Sequence, residues 1–388
     1  MKEVTLKRTS RLNEGHLWIF SNEIASNLRH LEPGEIVYVV DKTGKFYGTG
    51  YVNPHSLIAV RLLSRQRENI DREFFFERIK DALSYRRKIL RAFDSYRLIH
   101  SEGDLLPGLI VDIYANCMVI QILTAGMERL KDTIISTLDD ILHPDTIILR
   151  NDSSIRKMEG LPLYKTILKG SLDTLPIIND KEILTEISPL EGQKTGAFLD
   201  QRFNRQIFVN YLSDRMLGLD LFCYSGSWGL NALKVARHVT FVDDSALAIE
   251  MTKRNLALNN WSKQATVIRS DVFEFLKENK IKRQYDFIII DPPAFVKTKD
   301  KIREAIKGYR EINSLAMESI KDGGIIATSS CSYHISRETF LDILRASARD
   351  VGRFIRIIEF RGQAPDHPIL LSVPETQYLK CIFLEVVT

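Results

Sequence analysis

From about residue 181 the sequence alternates apolar runs with helical stretches, and this alternation narrows the fold more than any other feature of the chain. "LGLDLFCYSG" precedes "LNALKVA", "HVTFVDDS" precedes "ALAIEMTKRNLALNN", "ATVIRSD" precedes "VFEFLKENK", and "YDFIIIDPP" and "GGIIATSSCS" follow. Repeated strand, loop and helix units of this length predict an α/β fold with a doubly wound, mainly parallel sheet, Rossmann-like in class. Such sheets bind ligands at the carboxyl ends of their strands, so the residues just after each apolar run are the candidates for chemistry.

The remainder has a different texture. Between Val4 and Leu63, short apolar runs are cut by Pro33-Gly34, Thr43-Gly44 and Asn53-Pro54, which predicts a small β-barrel or sheet. "DREFFFERIKDALSYRRKILRAF" has helical periodicity, "LPGLIVDIYANCMVIQIL" reads as two strands around a turn, "AGMERLKDTIISTLDDIL" as a helix and "DTIILRND" as a strand. The expected division is therefore a β domain over 1–68, a central α+β domain over 69–180 and the α/β domain over 181–388, which suits a chain of 388 residues, 44% of them hydrophobic.

Several classes are disfavoured. The opening "MKEVTLKRTSRLNEG" has no apolar stretch of signal-peptide length and no window resembles a membrane span, so the expectation is a cytoplasmic protein with no membrane partner. The four cysteines, Cys117, Cys223, Cys331 and Cys381, form no CxxC pair, which argues against a disulfide framework or a zinc site and leaves no metal expected. The net charge of +4 is compatible with nucleic acid without being diagnostic. Its sharpest local excess, Arg86, Arg87, Lys88, Arg91 and Arg97 against Asp94, is either a solvated helix face or a phosphate-contacting one.

The strand ends suggest a cofactor. "DLFCYSGSWG" follows the first strand of the α/β domain and contains Asp220, Phe222, Tyr224, Ser225, Gly226 and Gly229, its glycines allowing backbone to approach a ligand. The loop is not GxGxxG, which weakens a dinucleotide reading. Asp243, ending the second strand, is placed to bind ribose hydroxyls, and Asp271, ending the third, to receive an adenine amine. Singly these are turns and helix caps. In this order they describe a nucleoside ligand without a phosphate-clamping lysine, which fits S-adenosylmethionine better than NAD or ATP.

The next two strand ends suggest the reaction. Asp291-Pro292-Pro293-Ala294-Phe295 turns the chain rigidly, offering a carboxylate for the polar edge of a flipped base and a ring for its face. Cys331 ends the fifth strand. A cysteine nucleophile is required when the methyl acceptor is carbon 5 of a pyrimidine, because thiolate addition at carbon 6 makes carbon 5 enamine-like. Its thiol needs a lowered pKa or a nearby base, for which His334 and Asp291 are candidates. The bland reading is a buried, inert thiol, and it is preferred for the other three cysteines.

These motifs coincide with a family. The chain resembles the bacterial 23S ribosomal RNA (cytosine-5)-methyltransferases that carry an N-terminal PUA domain, a class I S-adenosylmethionine-dependent group. "GHLWIFSNEI" and "GTGYVNPHSLIAVRLL" are similar to its PUA domain, "EGDLLPGLIVDIY" to its central domain and "KTGAFLDQRFNR" to its signature, with "DLFCYSGSWGL", "DPPAF", "SSCS" and "DHPILLSVPETQYLKCI" beyond. The resemblance implies an RNA-binding module, Cys331 as nucleophile, Asp291 as the acid of the DPP motif, Asp243 and Asp271 as cofactor contacts, and Asp200, Gln201 and Arg202 near the cofactor or the substrate entrance. Pro292, Pro293 and Phe295 are expected at the substrate base, and Arg86, Arg87 and Lys88 at RNA phosphates. The chain departs from the family pattern at Leu105, where glycine is usual, and at Asp244. Methylation of guanine, which needs no thiol, and a non-catalytic RNA-binding protein are the alternatives. The residues do not determine the oligomeric state; a homodimer is the assembly considered.

Overall fold

The computed structural model describes residues 1–90, 93–278, 282–295 and 301–387. Contacts gather the chain into two compact units: Met1–Ile177 with Ile187–Ala197 and Pro365–Thr376, and Ile178–Glu186 with Phe198–Ala364 and Gln377–Thr388.

The first unit holds two sheets. Strands β1 (Lys2–Leu6), β2 (Trp18–Phe20), β3 (Ile36–Asp41), β4 (Phe46–Val52) and β5 (Ile58–Ser64) pair in the order β1-β3-β4-β5-β2. Helix α1 (Arg72–Ile89) leads to β6 (Ser95–His100), β7 (Leu109–Tyr114) and β8 (Cys117–Ile122). Helix α2 (Lys131–Leu142), β9 (Thr146–Asn151) and β10 (Tyr164–Lys169) complete the second sheet, in the order β10-β9-β8-β7-β6. Each sheet has an apolar core, and Tyr51 and Leu63 of the first sheet pack into the core of the second. Leu105 takes a left-handed φ of 58°, the conformation glycine adopts without strain.

The basic cluster on α1 does not form one surface. Phe75, Ile79, Leu83 and Arg86 recur at helical spacing on the buried face, and Arg86 is 1% exposed. Its guanidinium pairs with both Asp104 oxygens and donates to the carbonyls of Arg97 and Asp366, each at 2.8 Å. Arg97 is buried against Asp112 at 2.7 and 2.8 Å. Neither Arg86 nor Arg97 can reach a phosphate, because each is spent on an internal carboxylate. Arg87 and Lys88 are exposed, and Arg91 lies outside the described residues.

The short pair β11 (Ile177–Asp180) and β12 (Ile183–Glu186) begins one residue before the second unit, which then contains α3 (Arg202–Phe208) and a seven-stranded sheet. Its elements are β13 (Leu217–Leu221), α4 (Ser227–Leu233), β14 (His238–Asp243), α5 (Ala246–Leu258), β15 (Ala265–Arg269), α6 (Val272–Glu278) and β16 (Tyr285–Ile290). They continue with α7 (Ile302–Ser319), β17 (Ile320–Ser330), α8 (Arg337–Asp350), β18 (Phe354–Arg361) and β19 (Lys380–Val387). The order is β15-β14-β13-β16-β17-β19-β18, with β13 to β17 parallel and β19 antiparallel to both neighbours. In β16, Phe287 and Ile289 enter one core while Ile288 and Ile290 enter the other, so a strand covered on both faces reads as a continuous apolar run. No helix among the described residues is long and apolar enough to cross a membrane.

Candidate active site

The loop leaving β13 is tightly constrained. Phe222, Tyr224 and Gly226 take φ of 59°, 50° and 80°. Such angles cost a side-chain-bearing residue about 1–2 kcal/mol, so neighbours must hold them. Asp243, at the end of β14, accepts the Tyr224 N–H at 2.9 Å and the Ser245 N–H at 3.0 Å. From α5, Thr252 and Asn255 donate to the carbonyls of Tyr224 and Ser225 at 2.8 and 3.0 Å. A Cβ on Gly229 would stand 2.2 Å from the Phe241 ring, and one on Gly226 3.0 Å from Thr252.

Asp220, wholly buried, accepts the Gly229 N–H on Oδ2 at 2.8 Å, while Oδ1 has no hydrogen-bond partner among the described residues. Burial pushes this carboxyl up to about 8, and the charges of Asp291 and Asp243 act in the same direction. Burial also raises Asp243. A cationic group beside these acids would supply the counter-charge they lack. Asp271 stands exposed after β15, where Oδ1 caps α6 through the Glu274 N–H at 3.0 Å.

Asp291 follows β16. It accepts from Gln201 Nε2 at 2.9 Å and from Trp228 Nε1 at 3.0 Å. Gln201 is 2% exposed and also bonds Ser329 at 3.0 Å and Asn204 at 2.6 Å. Its amide holds Asp291 in place. Arg202, 1% exposed, bonds Asp180, and Asp200, 2% exposed, accepts the Tyr378 hydroxyl at 2.7 Å, so both act as internal ties. Pro292 is buried and Pro293 exposed. The half-buried Phe295 packs on Tyr309 at 4.7 Å and on Phe222 and Phe273 at 6.3 and 6.4 Å.

Cys331 follows β17, which lies beside β16 in parallel register with Thr328 opposite Ile290. Of the four free cysteines it is the one that is not buried. Burial pushes Cys117 and Cys381 up to about 12 and raises Cys223 well above the usual thiol value, which suits inert thiols. The flanking serines are pinned: Ser330 and Ser332 bond the Tyr309 hydroxyl at 3.1 and 3.0 Å. Lys380 enters from β19, opposite Ser330, and its ammonium donates to the carbonyls of Ser332 at 2.7 Å and Tyr378 at 2.9 Å. Burial pushes Lys380 down to about 8, and the charge on Cys331 acts the other way. Lys380 lies within the "DHPILLSVPETQYLKCI" motif, but only the antiparallel return of β19 carries it to Cys331. His334 packs against Tyr333 at 5.4 Å.

Comparison with known proteins places this arrangement. A PUA-like domain model matches residues 3–65, and a model described as conserved hypothetical protein 95 matches residues 203–339. Ribosomal RNA large subunit methyltransferase I of Pseudoalteromonas atlantica is 38% identical over 385 residues, covering 98% of this chain and 97% of that protein. The chain belongs to the ribosomal RNA large subunit methyltransferase I family. Its structural likeness extends to a candidate SAM-dependent methyltransferase from Streptococcus mutans, with a TM-score of 0.85, 19% identity and full coverage of both chains. A candidate methyltransferase solved with SAH gives 0.86 at 19% identity, again over the full length of both. The fold is thus that of the α/β class I methyltransferases with an N-terminal PUA-like domain, and the family likeness spans both compact units.

Proposed function

We propose that this chain methylates carbon 5 of a cytidine in 23S ribosomal RNA, with S-adenosylmethionine as donor and a covalent adduct on Cys331. The observation that carries the cytosine-5 reading is the one cysteine left unburied, at a strand end beside that of Asp291 and next to Ser332, whose carbonyl accepts from the Lys380 ammonium. The relatives, named as ribosomal RNA large subunit methyltransferases, support large-subunit rRNA as substrate. The neighbour solved with SAH supports the donor, as does the demand of Asp220 and Asp243 for a cationic ligand.

S-adenosylmethionine supplies an electrophilic methyl group on a sulfonium when bound. Asp220, Asp243 and the Phe222–Gly229 loop would hold it, with exposed Asp271 and the ring of Phe222 at the open side. Asp291, gripped by Gln201 and Trp228, receives hydrogen bonds from the polar edge of the cytosine. Cys331 Sγ forms a bond to carbon 6, and its electron pair makes carbon 5 nucleophilic. After methylation a base removes the carbon 5 proton and the carbon–sulfur bond breaks, returning the thiolate. Lys380 favours that thiolate by charge at both ends of the cycle. Guanine methylation would leave this thiol and its ammonium without a task.

The test is to incubate the chain with labelled S-adenosylmethionine and rRNA lacking its modification, then identify the methylated nucleoside by mass spectrometry. 5-Methylcytidine at one large-subunit position is expected, and methylguanosine would overturn the reading. Exposed Arg87 and Lys88 are proposed to contact phosphates. Neutralising both should lower the salt slope of rRNA binding by about 2. A homodimer is checked by light scattering of the purified chain.

A further inference from the structure

A cavity of about 590 Å³ opens beside the Cys331 loop, lined by Tyr333, Arg337, Glu338, Phe360, Arg361 and Lys380 among others. Tyr333 lies two residues past Cys331 and is 54% exposed, and Phe360, on the edge strand β18, is 45% exposed. The Arg337 guanidinium, in the first turn of α8, stacks 3.9 Å from the centre of the Phe360 ring. Arg337 makes no salt bridge among the described residues, and its partner here is a ring face. Arg361 is tied to Glu359 at 2.6 Å and to Asn204 at 2.9 Å. The Glu338 carboxyl is held low by backbone and Ser336 hydrogen bonds, so it remains an anion at the rim. Three cations therefore line the cavity against one carboxylate.

Two exposed rings, one already carrying a guanidinium, beside a cationic wall make a stacking platform for single-stranded nucleic acid. A protein or lipid partner would find the exposed apolar area small and interrupted by charge. Continuity with the thiol decides which nucleotides it serves: Lys380 bonds the carbonyl of Ser332, and Ser332 sits between Cys331 and Tyr333. We propose that this cavity is a subsite for the RNA nucleotides immediately flanking the target base, with a neighbouring base stacked on Tyr333 or Phe360 and its phosphate at Arg337. The proposal rests on the reading of the chain as an RNA methyltransferase.

The experiment uses the full chain and an rRNA fragment carrying the mapped target, with the base on either flank removed in turn. In the wild-type chain, loss of the stacked base should raise KM about tenfold with kcat unchanged. Phe360→Ala or Tyr333→Ala should raise KM by a similar factor with intact RNA, and the abasic fragment should then cost that variant nothing more. S-adenosylmethionine affinity should be unaltered, which establishes folding, and Phe360→Tyr should restore KM. Unchanged KM in both alanine variants, or full additivity of protein and RNA changes, would overturn the subsite and leave the function standing. Absence of any RNA methylation by the wild-type chain would overturn both.

Discussion

Two loops at the same edge of one sheet have opposite electrostatic characters. The loop after β13 is walled by acids: Asp220 is buried and pushed up to about 8, and Asp243 is raised beside it. The loop after β17 is walled by a cation: Lys380, pushed down to about 8, donates to the carbonyl of Ser332, next to Cys331, and the two flanking serines are pinned. Each holds a buried ionisable group whose charged form its surroundings disfavour, and in each a charge of the opposite sign favours that form. The first suits a cationic donor and the second suits a thiolate, with Asp291 on the strand between. The two loops thus leave parallel strands of one sheet, β13 and β17, that are separated by β16.

Breaking the second loop should have the larger effect. Cys331→Ala is expected to lower single-turnover methylation by about 10,000-fold while leaving S-adenosylmethionine affinity, measured by calorimetry, unchanged. Near-normal turnover would show that the contrast between the loops is electrostatic without being catalytic.

Lys380→Met should cost about a hundredfold in rate. The lysine is charged below about 8 and loses its charge above, so the wild-type rate should fall as pH rises past that value. Lys380→Arg stays charged throughout, and its profile should lose that falling limb. A structural role alone would move stability and leave the limb in place.

Asp220→Asn sharpens the comparison from the other side. Below about 8 the wild-type carboxyl holds a proton, and a bound cation favours its release, so donor affinity should rise with pH and level off above that value. The variant should bind about tenfold more weakly at pH 8 and show no such pH dependence. Calorimetry in buffers of different ionisation enthalpy reads the released proton directly. An unaltered pH dependence would place the titrating group elsewhere.

The legible and illegible parts of this site differ in sequence distance. The glycine loop, Asp291 and Cys331 each follow an apolar strand within a few residues, so local patterning places them at the sheet edge. Lys380 lies 49 residues beyond Cys331, counting 380 − 331, and only the pairing of β17 with β19 joins them. Arg86 shows the converse. Its charge suggested a surface, yet its spacing from Phe75, Ile79 and Leu83 puts it on the buried stripe, a periodicity that was readable in the residues. Asp200, Gln201 and Arg202 sit in a signature near the site, but their partners, Tyr378, Asp291 and Asp180, are set by tertiary packing.

The central claim is the covalent bond at Cys331. Incubating the chain with S-adenosylmethionine and target RNA carrying 5-fluorocytidine, whose carbon 5 has no proton to release, should trap a denaturation-resistant protein–RNA adduct that maps to the peptide containing Cys331 and is absent in Cys331→Ala. Efficient methylation of the natural RNA with no adduct on the fluorinated RNA, or an adduct on another residue, would contradict the account.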